Sequence, residues 1–173
     1  MSISLSPSRP DDSSRSRSPG AAVGALHVAR ETVMARAPAT VWKLLGAFDA
    51  LDVWLPPVRA SSSRGQPTQP GAVRVLDLGN GAAVTEELLA YSDADRCYRY
   101  AFVSSPLPVK HYVATIELVA ATGNRTLVRW SSTFDADGGS DAQAKEAIEG
   151  TTPGSPGSTR SFASSSALRR RTT

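Results

Sequence analysis

Residues 72–90 read AVRVLDLGNGAAVTEELLA, two alternating runs on either side of Gly79-Asn80-Gly81. An Asn-Gly pair between alternating runs signals a tight hairpin, because its turn needs residues that accept φ > 0. The stretch therefore predicts antiparallel strands over 72–78 and 83–90. Alternation places Arg74 on one face with Leu76 and Leu78, and Glu86 on one face with Val84, Leu88 and Ala90. With the apolar members facing the core, neighbouring strands bring a guanidinium and a carboxylate together in an apolar hollow.

The same pattern continues in both directions. C-terminally, strands are predicted over 96–103, 110–119 and 125–134, separated by Ser92-Asp93-Ala94-Asp95, by Pro106 and Pro108, and by Gly123-Asn124. Successive hairpins mean an antiparallel sheet. N-terminally, 58–63 and 25–34 read as further strands. Between them, Pro38 opens a helix carrying Val41, Leu44, Leu45 and Phe48 at helical spacing, and a second helical turn over 48–55 ends at Pro56-Pro57. Trp42 and Trp54 read as packing residues of these turns. Asp141 is predicted to N-cap a helix over 142–149 whose apolar stripe stops at Gly150.

This order is carried by PATVWKLLGAFDALDVWLP (38–56), AVRVLDLGNGAAVTEELLAYSDADRCYRYAF (72–102), PLPVKHYVATIEL (106–118) and TLVRWSSTFDA (126–136). It resembles the SRPBCC superfamily, also called START-like or Bet v 1-like, and in particular its polyketide cyclase/dehydrase branch. The resemblance implies an α+β helix-grip fold: a seven-stranded antiparallel sheet, two short helices after the first strand, and a long C-terminal helix closing an apolar cavity. It also implies an inward-facing glutamate in Glu86-Glu87-Leu88. In the plant lachrymatory factor synthases of this superfamily an arginine and a glutamate on these two strands are implicated in catalysis, and Arg74 and Glu86 fall where that pair would be. The gate and latch motifs of the plant abscisic-acid receptors are not matched, the corresponding segments reading Leu78-Gly79-Asn80-Gly81-Ala82 and Pro106-Leu107-Pro108.

The ends have a different character. Residues 1–24 are rich in Ser, Pro and Arg, and 151–173 hold fifteen Ser, Thr, Pro or Gly in 23 positions, so neither stretch is expected to pack. The expected organisation is a disordered leader (1–24), a helix-grip domain (25–150) and a low-complexity tail (151–173). The tail stands where the resemblance implies a long helix. With GC-rich codons, the neighbouring reading frame gives a Leu-rich amphipathic peptide at that place, which reads as a frameshift.

Charge and composition exclude several classes of function. The formal charge of +3 comes from the ends, and 25–150 is slightly acidic, which is no surface for nucleic acid. Cys97 is the single cysteine, so no intramolecular disulfide can form. His27 and His111 stand apart from any cluster of metal-ligand spacing, and no glycine-rich dinucleotide fingerprint occurs. No metal and no cofactor is implied. No apolar run reaches about 18 residues and no secretory signal is read, so a cytoplasmic chain without a membrane span is expected.

The resulting expectation is a binder of a small apolar molecule. Leu76, Leu78, Leu88, Tyr100, Tyr112 and Ile116 are the candidate lining, and Arg74 and Glu86 orient a polar group. The alternative is a cyclase, dehydratase or isomerase with Glu86 as general acid/base and Arg74 stabilising developing negative charge. A third reading is a non-functional product lacking its closing helix.

Overall fold

The computed structural model describes residues 24–55 and 57–151. The strands are β1 (Leu26–Met34), β2 (Ala60–Arg64), β3 (Val73–Gly79), β4 (Ala82–Ser92), β5 (Cys97–Ser104), β6 (Val109–Ala121) and β7 (Arg125–Ala136). The helices are α1 (Pro38–Leu45), a 3₁₀ turn η1 (Leu51–Val53) and α2 (Asp141–Thr151). The strands form one antiparallel sheet in the order β1-β7-β6-β5-β4-β3-β2. Five neighbouring pairs are consecutive hairpins. The sixth, β1 with β7, is the long-range pairing that brings the first strand beside the last. The architecture is an α+β helix-grip. The leader and the tail, with its frameshift reading, lie outside the described residues except for Gly24 and Thr151.

One face of the sheet is largely apolar from β1 across to β3, while the edge strand β2 is Ser-rich and mostly exposed. Leu26 and Val28 of β1, Leu76 of β3, Val84 and Leu88 of β4, Tyr98 and Tyr100 of β5, Ala114, Ile116 and Leu118 of β6, and Phe134 of β7 are all buried. The α1–η1 segment covers part of this concave face with Val41, Trp42, Leu45, Phe48, Leu51 and Trp54. Pro38 starts α1 at a position where its missing N–H is no loss, and α1 ends at Gly46, where a Cβ would stand 2.7 Å from the Trp42 ring. Asp93 in the β4–β5 turn accepts a 2.7 Å hydrogen bond from Trp42 Nε1, tying α1 to the sheet.

Three local expectations are corrected. Strand β2 begins at Ala60, because the Val58 N–H is given back to the Leu55 carbonyl and continues the turn. A bulge between Leu88 and Ala90 reverses the alternation of β4, so Ala90 is exposed while Tyr91 pairs with Tyr98 and stacks on it. The cap of α2 is Ser140, not Asp141. Ser140 Oγ accepts from the Gln143 N–H, and Gln143 Oε1 accepts from the Ser140 N–H, a reciprocal capping box. Helix α2 packs on β1 and β7 through Ala144 and Ile148.

Candidate functional site

The hairpin register aligns Arg74 directly with Glu86. The two side chains meet at 2.5 Å through Arg74 Nε and Glu86 Oε2, with Arg74 fully buried and Glu86 almost so. Arg74 Nη1 donates 2.7 Å to the Phe48 carbonyl. The guanidinium also lies over the rings of Phe48, at 4.1 Å, and Tyr100, at 5.0 Å. Arg74 thus joins three elements: its own strand, β4 through Glu86, and the α1–η1 segment through a backbone carbonyl. Its Nη2 and the Tyr98 hydroxyl are buried without a hydrogen bond of good geometry.

Burial opposes the charge on Arg74, but Glu86 together with Tyr98 and Tyr100 outweighs it and holds the guanidinium firmly protonated. Burial raises Glu86 above the usual carboxylate range, and Arg74 offsets that only in part. Burial likewise raises the phenols of Tyr98, Tyr100 and Tyr112, which therefore stay neutral donors at physiological pH. The chemical content is a buried acid of raised proton affinity, a fixed cation beside it, and phenol hydroxyls around both.

Aromatic rings fill the space above this pair. Phe48 meets Tyr98 edge-on at 5.9 Å, Tyr98 meets Tyr100 at 5.9 Å, and Phe102 stacks on Tyr112 at 3.8 Å. Leu76, Leu88, Tyr100, Tyr112 and Ile116 are buried on the concave face, and Leu78 is half-buried near the end of β3. Arg74, Glu86, Leu76, Leu88 and Tyr100 are drawn together in this packed region. Ile116 lies further along the sheet.

Ile116 borders an apolar pocket that opens between β1, β7, β6 and the α1–η1 segment. Its other walls are Met34, Leu45, Trp54, Val128 and Trp130, with Arg30 and Thr32 at the rim. Its free volume is about 20 Å³, room for roughly one water molecule. Arg30 Nη2 is 3.2 Å from Glu149 Oε2 on α2. Sequence reasoning did not single out Arg30, Met34 or Val128. The signal for Arg30 was available, since alternation from Leu26 and Val28 puts it on the apolar face. His111 is hydrogen-bonded through Nδ1 to Asp135 at 2.8 Å. Among the described residues no group of three or more His, Cys, Asp or Glu could hold a metal ion, and no helix is long and apolar enough to cross a membrane.

The family model described as polyketide cyclase/dehydrase and lipid transport matches residues 25–155. Among solved structures, the protein XoxI from Bacillus cereus is 32% identical with a TM-score of 0.67, over 72% of this chain and 86% of that one. A Thermobifida fusca protein is 30% identical with a TM-score of 0.66, over 75% and 84% of the two chains. The Zhui aromatase/cyclase from Streptomyces sp. R1128 is 18% identical with a TM-score of 0.59, over 73% and 83%, a likeness of fold. No curated protein matches.

Proposed function

This chain belongs to the polyketide cyclase/dehydrase and lipid transport family, and we propose that it binds a small hydrophobic ligand against the concave face of its sheet. The observation that carries the reading is the apolar pocket beside Ile116, open to solvent at the edge of an otherwise filled interior. Ligand carbon entering it leaves water at roughly 25 cal/mol per Å² before the cost of association. The site is small at rest, so binding requires its walls to move apart. Met34 and Leu45 are partly flexible side chains suited to that. Arg74 and Glu86 serve this reading as the polar floor of the interior.

Titration with the neutral fluorophore N-phenyl-1-naphthylamine tests it. Saturable one-to-one enhancement, lost when Val128→Trp fills the pocket, is the expected result. Absence of saturable binding by the intact chain would overturn the reading.

A second reading, an enzyme of the cyclase, dehydratase or isomerase type, is favoured by one observation: the raised proton affinity of Glu86 beside a fixed cation. The cation is already engaged by the Phe48 carbonyl and ring, which leaves less of it to stabilise a reacting oxygen. Glu86→Gln separates the readings. A binder's affinity changes by about tenfold or less, whereas an enzyme's turnover falls by at least about a hundredfold.

A further inference from the structure

We infer that Arg30 makes the pocket beside Ile116 a site for an amphipathic carboxylic acid, whose carboxylate takes the place of Glu149 on the guanidinium while its apolar body lies along Val128 and Met34. This rests on the ligand-binding reading above and names the ligand's chemistry.

By the alternation of the strands, three Asp, Glu, Lys, Arg or His side chains point to the concave face among the described residues: Arg30, Arg74 and Glu86. Arg74 and Glu86 neutralise each other in the closed part of the interior. Arg30 is therefore the cation that the sheet itself leaves unbalanced. Its partner comes from outside the sheet, at the far end of α2.

That partnership is loose. The two side chains are 34% and 44% exposed, and the guanidinium's other contact is a long 3.4 Å bond to the carbonyl of Ala29. An exposed pair of this kind contributes little to stability. Guanidinium has five N–H donors arranged to grip a carboxylate two at a time, whereas the contact with Glu149 runs through Nη2. A ligand carboxylate can share or displace Glu149 with little loss.

The apolar requirement is met in the same place. Arg30 is aligned with Trp130, Thr32 with Val128, and Met34 with Thr126 in the β1–β7 register. A chain anchored at Arg30 thus has about 13 Å of strand to lie along before it reaches Met34. Across that length Trp130, Val128, Met34, Leu45 and Trp54 present carbon. One cation beside a small apolar pocket, whose walls move apart on binding, selects a molecule with one anionic end. Helix α2, which supplies Glu149 and buries only Ala144 and Ile148 among the described residues, is the element that gives way.

The probes are cis-parinaric acid and its methyl ester, read by fluorescence on the intact chain and on Arg30→Gln and Glu149→Gln, each checked by thermal melting. The acid is expected to bind the unaltered protein about tenfold more tightly than the ester. Arg30→Gln should remove that preference while leaving the ester within about twofold. Glu149→Gln should strengthen the acid about threefold and leave the ester unchanged, a response that loss of a structural bridge would not produce. Equal binding of acid and ester, or equal loss of both in Arg30→Gln, would overturn this inference and leave the ligand-binding reading standing. Failure of both probes to bind would overturn both.

Discussion

Replacing Arg74 by Met removes the cation and keeps much of the side chain's length and carbon. Glu86 is then a buried carboxyl without its partner, beneath Phe48, Tyr98 and Tyr100. Two routes give the magnitude. Breaking a buried pair by removing one member costs about 3–5 kcal/mol. Alternatively, Glu86 takes up a proton. Holding it neutral at pH 7, against an ordinary value near 4.3, costs about 3.7 kcal/mol at about 1.36 per pH unit. The agreement fixes the electrostatic part near 4 kcal/mol. The Phe48 carbonyl, deprived of its donor, adds about 1–3 kcal/mol.

The sign with pH follows from direction. Glu86 is held above its ordinary range in the folded chain, and more so without Arg74. Folding then favours the protonated form, so the associated stability is present at low pH and lost as pH rises through the folded value. The deficit of Arg74→Met relative to the unaltered protein should be smallest near pH 4.5 and grow toward pH 7. The double change Arg74→Met with Glu86→Gln should recover about 3 kcal/mol at pH 7 and almost nothing near pH 4.5. Urea unfolding followed by tryptophan emission at both pH values measures this. A single-change deficit that does not vary with pH, or a double change no more stable than the single at pH 7, would refute the reasoning.

Other consequences follow from contacts away from the pair. Asp93→Ala removes the acceptor of Trp42 Nε1 and should lower stability by about 1–2 kcal/mol in the same urea assay. Ser140→Ala dismantles one half of the capping box on α2 and should cost about 1 kcal/mol, read as faster amide exchange over Asp141–Thr151. For the frameshift reading of the tail, sequencing the source DNA across the codons for Ala144 to Thr159 should reveal a one-base change that restores a Leu-rich helix; DNA that encodes the tail as written would dispose of it.

The parts of the fold legible in the sequence are those governed by short-range rules. Asn80 and Gly81 adopt positive φ, which is why Asn-Gly marks the β3–β4 hairpin so clearly. Alternation within each strand then puts Arg74 and Glu86 on the apolar face. Their direct alignment also needs the register shift between Asp77 and Gly79, without which Arg74 would face Glu87. The β4 bulge is invisible to the same rule, because a period of two has no term for an extra residue. Ala90 and Tyr91 consequently exchange faces. Ser140 and Asp141 are equally good caps by residue type, and only the reciprocal bonds to Gln143 distinguish them.

The site divides along the same line. The Arg74–Glu86 contact is local to one hairpin. The pocket is assembled from Met34, Leu45, Trp54, Ile116 and Val128, residues brought together by the β1–β7 pairing and by the descent of α1–η1 onto the sheet. No spacing in the chain encodes that meeting. The bond from Arg74 to Phe48 ends on a backbone carbonyl, which has no side-chain signature at all.

The central claim is that a small apolar molecule binds on the concave face beside Ile116. Methyl NMR spectra recorded with and without saturating N-phenyl-1-naphthylamine test it most directly. The expected result is that Met34, Leu45, Ile116 and Val128 shift together, while Val75 and Val103, exposed elsewhere on the sheet, do not. Unmoved pocket methyls under saturation, or shifts confined to exposed residues such as Val75 and Val103, would contradict it.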